Sequence, residues 1–156
     1  MARKFGGILT VVMNMKDSKQ VLTSLLHTVQ MGQNGIRAVM EKAVQPGLQQ
    51  ELRSELAEYD KVEKMAYQLA GKKEWELPKV SSCLLTMSSL TSKARLLYGD
   101  TDSTIAAMLI QGNTRGRISG LKDLHRAHGL YAQVQELAGK LLNLEEANIR
   151  SAQSFL

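Results

Sequence analysis

The stretch Gln111–His128, QGNTRGRISGLKDLHRAH, reads as a helix although it carries Gly112, Gly116 and Gly120 at intervals of four. A glycine inside a helix costs about 1 kcal/mol against alanine, so a row of them requires a packing reason. At ~100° per residue the three share a side with Ile105 and Leu109 upstream, and a stripe of that kind lets a neighbouring backbone come close. Between its two sub-faces falls Asn113, an amide where an apolar residue would be easier to bury.

Outward from this stretch the pattern stays helical. A chain of 156 residues that is 44% hydrophobic makes one domain with a substantial core. Two prolines, 4% aromatics and long runs of apolar residues at three and four spacing predict an all-α fold, since strands would bring β-branched and aromatic alternation between turn signals. The formal net charge of +5 is spread over the chain, through Lys16, Lys19, Arg37, Lys61, Lys93, Arg95 and Arg126, which favours solubility over a nucleic-acid groove. The single cysteine, Cys83, allows no intramolecular disulfide and fits a reducing compartment, so a cytoplasmic protein is expected. No run approaches the roughly 18 apolar residues of a membrane span.

Residues 1–17 read as an N-terminal arm, irregular, with Ile8, Leu9, Val11 and Val12 covering one edge of the core and no convincing cleavage site after them. Residues 18–156 read as a single helical domain. Ser18 is suited to cap a first long helix reaching Val44, with Leu22, Leu25, Leu26, Val29, Ile36 and Met40 on its inner face. Pro46 and Gly47 end it. A second helix from Leu48 places Leu52, Leu56, Tyr59, Val62, Ala66 and Leu69 inside, until Gly71 and the Lys72, Lys73 pair stop it. A long crossing from Lys72 to Asp100 carries a Ser/Thr-rich helical segment over Ser81–Tyr98, with Cys83 as a small buried side chain. Two further helices follow, Thr104 to His128 and Tyr131 to Phe155, separated by Gly129. The order is hairpin, long crossover with an additional helix, hairpin.

Helix phase puts a few polar residues on inner faces: Gln33, Glu63, Asn113, and Glu145 with Asn148. Reflection about the two turns brings them to a similar level. The stretches LTSLLHTVQMGQNGIRAVMEKA (22–43) and LQQELRSELAEYDKVEKMAYQLA (48–70) resemble the first hairpin of ferritin-like proteins, and are most similar to bacterial ferritin-like domains of unknown function. The resemblance implies an up-down four-helix bundle. In metal-binding relatives each hairpin supplies one glutamate and a Glu-x-x-His pair to two metal ions. Carried over by helix phase, the first glutamate position holds Gln33 and its counterpart Asn113; the pairs become Glu63 with Ala66 and Glu145 with Asn148. Both histidines are absent, and two carboxylates do not neutralise two divalent ions. A degenerate di-iron site is the expectation: no metal or cofactor, with Gln33, Glu63, Asn113, Glu145 and Asn148 as residual candidate positions, and a single iron or manganese ion as the alternative.

The function expected on this basis is that of a non-catalytic, structural or protein-interaction bundle. It would self-associate as a homo-oligomer, or take a protein partner, through Leu84, Leu85, Leu96 and Leu97, with no membrane and no nucleic acid involved. A metal-binding or redox bundle with altered ligands is the alternative. A nucleic-acid or other anion-binding module, a third reading, would use the row Arg115, Lys122, Arg126, which otherwise reads as a solvated face. His125 and His128 read as a surface pair, and His27 as directed away from the inner stripe. No Walker loop, nucleophile elbow or dinucleotide fingerprint occurs.

Overall fold

Pro46 sets the first boundary of the fold. Its ring suits a first helical turn, and it disfavours helical backbone just before it. Gln45 is accordingly extended, with φ −70° and ψ 129°. A computed structural model describes residues 2–78 and 101–156. Among them are four α-helices and no strand: α1 (Ala2–Val39, followed by a 3-10 turn Met40–Lys42), α2 (Pro46–Lys72), α3 (Thr101–Arg126) and α4 (Ala132–Gln153). The helix expected over Ser81–Tyr98 lies outside the described residues, as do Cys83 and the leucines Leu84, Leu85, Leu96 and Leu97.

The N-terminal stretch, expected to be irregular, is helical. Helix α1 runs without a break from Ala2, and Ile8, Leu9, Val11 and Val12 are exposed on it instead of covering the core. Nothing terminates the helix near residue 18, because the local sequence lacks proline and the two early glycines cost too little to stop it. Ser18 is not a cap. It is wholly buried in mid-helix, and its Oγ accepts a hydrogen bond of 2.9 Å from the backbone N–H of Tyr131.

Cross-helix contacts give the directions. Gln33 bonds Asp60 and Gln30 bonds Tyr67, so α1 and α2 are antiparallel. Asn148 bonds Asn113 while Leu142 lies against Gly120, so α3 and α4 are antiparallel. Thr28 meets Gly116 and Asp17 meets His128, which sets α1 antiparallel to α3. Helix α4 also packs on α2, and each helix thus has two antiparallel neighbours in a ring of four. Leu22, Val29, Ile36, Leu48, Leu52, Ile105 and Val134 form the wholly enclosed centre. Helices α2 and α3 run the same way, so the end of α2 and the start of α3 lie at opposite ends of the ring, roughly 40 Å apart for a helix of 27 residues.

Both ends of the ring are fastened. At one, the Asp102 carboxylate in the first turn of α3 accepts from the backbone N–H groups of Val44 and Gln45 at 2.8 and 2.7 Å. At the other, α2 ends at Lys72, within the Gly71, Lys72, Lys73 stop that the sequence predicts. Glu74 takes the left-handed position, with φ 55°, so that Trp75 N–H bonds Ala70 O at 2.9 Å. This turns the Trp75 ring onto Tyr131, 5.7 Å between centroids, with the Lys73 ammonium 4.4 Å from the same ring.

Asp102 is buried, and its two bonds are charge-assisted. Asp102→Ala is expected to lower unfolding free energy by about 2–3 kcal/mol, and Asp102→Asn by less, because the amide keeps one acceptor. Urea unfolding of the three proteins checks this order.

Candidate functional site

The middle of α2 steps through Leu48, Leu52, Glu55, Tyr59, Val62, Ala66 and Leu69, and all seven are buried. This alternation of four and three puts a carboxylate on the inner face. Glu55 is only 2% exposed. From α4 comes Glu145, at 1%, with Asn148 one turn further on; from α3 comes Asn113. These residues and Tyr59 form a polar level inside the apolar core.

The hydrogen bonds at this level are unevenly shared. Asn113 Oδ1 accepts from the Tyr59 hydroxyl at 2.9 Å and from Asn148 Nδ2 at 3.1 Å, and Asn113 Nδ2 donates to Leu109 O at 2.9 Å. The amide thereby ties α2, α3 and α4 together. No oxygen of Glu55 or Glu145 has a partner in good hydrogen-bond geometry, although the Asn113 side chain lies near enough to Glu55 to favour its ionised form. Burial pushes the Glu55 carboxyl from its usual 4.5 to about 8, with the Glu51 charge adding to the rise and Asn113 opposing it. Burial likewise pushes Glu145 up to about 8, against the pull of the Arg117 guanidinium. The Tyr59 phenol is raised by burial and by the two acids.

The acids border a cavity of about 270 Å³ between α1 and α3. One wall is Thr28, Gly32 and Ile36 of α1; the other is Leu109, Gly112 and Gly116 of α3; Glu55, Tyr59 and Glu145 reach it from the remaining helices. The exposed Gly112 and Arg115 mark its solvent side. Glycine is required at two places. A Cβ at Gly116 would overlap the Glu145 carboxyl, coming within 2.9 Å of its Cδ, and one at Gly32 would stand 2.7 Å from the Tyr59 ring. Gly120 meets Leu142 closely, whereas Gly112 faces open space.

Of the five residual positions, Asn113, Glu145 and Asn148 meet at this level. Gln33 and Glu63 do not. Gln33 is buried, but its amide donates outward to Asp60 at 2.8 Å and to Glu63 at 3.4 Å, on the seam between α1 and α2, where Gln30 joins Glu63 at 3.2 Å. The residue that completes the level is Glu55, one position from the Leu56 that sequence phase placed inside; Leu56 is only partly buried. His27, expected to point away, borders the cavity. His125, His128, Lys122 and Arg126 are exposed, as is Arg115 at the rim.

This donor set does not suit a two-metal centre: it offers two carboxylates, amides and a phenol, without imidazole. Among the described residues no three His, Cys, Asp or Glu side chains come together as metal ligands. None of the described helices is long and apolar enough to cross a membrane. No family model, curated protein or solved structure matches the chain.

The raised acids give stability a definite pH dependence. Between about pH 4.5 and 8 the folded chain holds protons on Glu55 and Glu145 that the unfolded chain has released. Their contribution is complete below pH 4.5 and is lost as pH rises through 8, at no more than about 1.4 kcal/mol per unit and group. Urea midpoints are expected to fall from pH 5 to pH 8, and the fall to shrink by more than half in Glu55→Gln/Glu145→Gln, whose amides do not ionise.

Proposed function

We propose that the chain is a ferritin-like helical bundle that binds a cationic ligand in its core, with Glu55 and Glu145 as the acids that receive it. One observation carries the binding reading. Two carboxyl groups, 2% and 1% exposed, border a cavity reached from solvent, and no oxygen of either stands in good hydrogen-bond geometry with a protein donor. Buried carboxyls are ordinarily hydrogen-bonded, and leaving them unpaired is costly unless a proton or a cation satisfies them. Support for the ferritin-like part comes from two antiparallel hairpins whose inner connection joins helices running the same way, which needs a long crossover. The two-metal oxidation chemistry of that fold is no part of the proposal, because the donors for two metals are not at the site.

The test is thermal melting at pH 7.5 against a panel of inorganic and organic cations. A cation at a hundred times its Kd adds about 2.7 kcal/mol, which for a chain of this size raises Tm by roughly 5–10 °C. At least one such rise is expected, and it should vanish in Glu55→Gln/Glu145→Gln. A panel without effect, or an effect the double variant keeps, refutes the reading.

The exposed apolar turns at the start of α1 favour a second, compatible reading, self-association. Ile8 and Val12 lie one turn apart. Under this reading Ile8→Glu/Val12→Glu sediments as a monomer where the parent chain does not; a monomeric parent chain disposes of it.

A further inference from the structure

The cavity has far more room than an inorganic cation fills, and its walls are of the wrong kind for one. An apolar cavity of about 150 Å³ takes a benzene ring, so one of about 270 Å³ holds a body of roughly ten heavy atoms. Met31, Ile36 and Val39 line it from α1, and Met108 and Leu109 from α3. Methionine thioethers are polarizable and adapt to the shape of a guest. Hard divalent ions ask for six or more oxygens. Here the Tyr59 hydroxyl and the Asn148 amide are bonded to Asn113 Oδ1, which takes that oxygen out of reach of a metal ion. What the cavity offers a guest is two carboxyl groups, from α2 and α4, in a lining that is otherwise largely apolar.

We propose that the guest is a small organic ammonium ion, its apolar body lying between α1 and α3 and its ammonium group set against Glu55 and Glu145. This rests on the cation-binding reading above. An ammonium group carries three donors and no acceptor, which matches carboxyl oxygens that lack donors. It needs no closed shell of ligands. Its single charge is balanced by one ionised acid, while the other retains its proton. Arg115 and His27 stand at the solvent side, where salt screens them, and Arg117 faces Glu145 from α3 while paired with Glu146. Gly112 borders the cavity at its solvent side, and a Cβ there meets nothing within 4 Å.

The experiment is isothermal titration calorimetry of the full chain at pH 7.5 with 2-phenylethylammonium and n-hexylammonium chlorides. The neutral 2-phenylethanol and the chlorides of magnesium and manganese serve as comparisons. At least one ammonium ion is expected to bind at least tenfold more tightly than the alcohol, and to lose at least tenfold in Glu55→Gln/Glu145→Gln. Gly112→Leu should block it as well. That variant replaces a helical glycine by a better helix former in open space, so its fold, checked by circular dichroism and melting, is expected to hold. Binding of a metal ion without binding of either ammonium ion overturns the ammonium assignment and leaves the cation site standing. Equal affinity for alcohol and amine, or no binding by any probe, overturns both. Ammonium binding that survives Gly112→Leu places the guest elsewhere and also overturns the proposal.

Discussion

The register of the helices depends on one side-chain amide. Asn113 receives Tyr59 from α2 and Asn148 from α4 on the same oxygen, and returns its own N–H to α3 at Leu109. Apolar packing alone tolerates small sliding between helices, whereas two directed bonds to one atom do not. The same bonds turn the Tyr59 hydroxyl and one N–H of each amide away from the two acids. No oxygen of Glu55 or Glu145 stands in hydrogen-bond geometry with any of them.

The buried polar residues thus divide into two kinds with different physical roles. Asn113, Tyr59 and Asn148 satisfy one another, and their network accounts for itself as structure. The two acids do nothing of the sort: they add no cross-helix bond, and their burial raises the cost of ionisation. Hydrophobic residues of similar volume would make the core more stable. Acids that weaken a fold, placed beside a cavity, are an ordinary sign of binding chemistry, because binding sites are where local stability is given up.

Much of this was legible in the residues. The helices and their order followed from three-four periodicity and from Pro46 and Gly129, since a helix in a packed core has to bury a stripe. Asn113, Glu145 and Asn148 stood out as polar groups in apolar phase. Glu55 did not, because Leu56 beside it offered a hydrophobic choice for the same turn, and burial preference outweighed a heptad-like spacing that only Glu55 satisfies. Gln33 is buried as its phase predicts but turns to Asp60 on the seam and not to the centre, because helix phase gives a direction within tens of degrees and does not say which of two neighbouring helices a long side chain turns to. The extension of α1 to Ala2 lay in a stretch with neither breaker nor core face, where periodicity has nothing to report.

The cleft separates two hairpins: α1 belongs to the first and α3 to the second, and each hairpin is held internally by contacts close in sequence. Units of that kind form early and open late, while the seam between them closes last. A guest lying in the seam touches both units at once. It would act as a latch on the final docking step, so its residence time would be set by how often the hairpins part and not by the strength of the contacts inside either one.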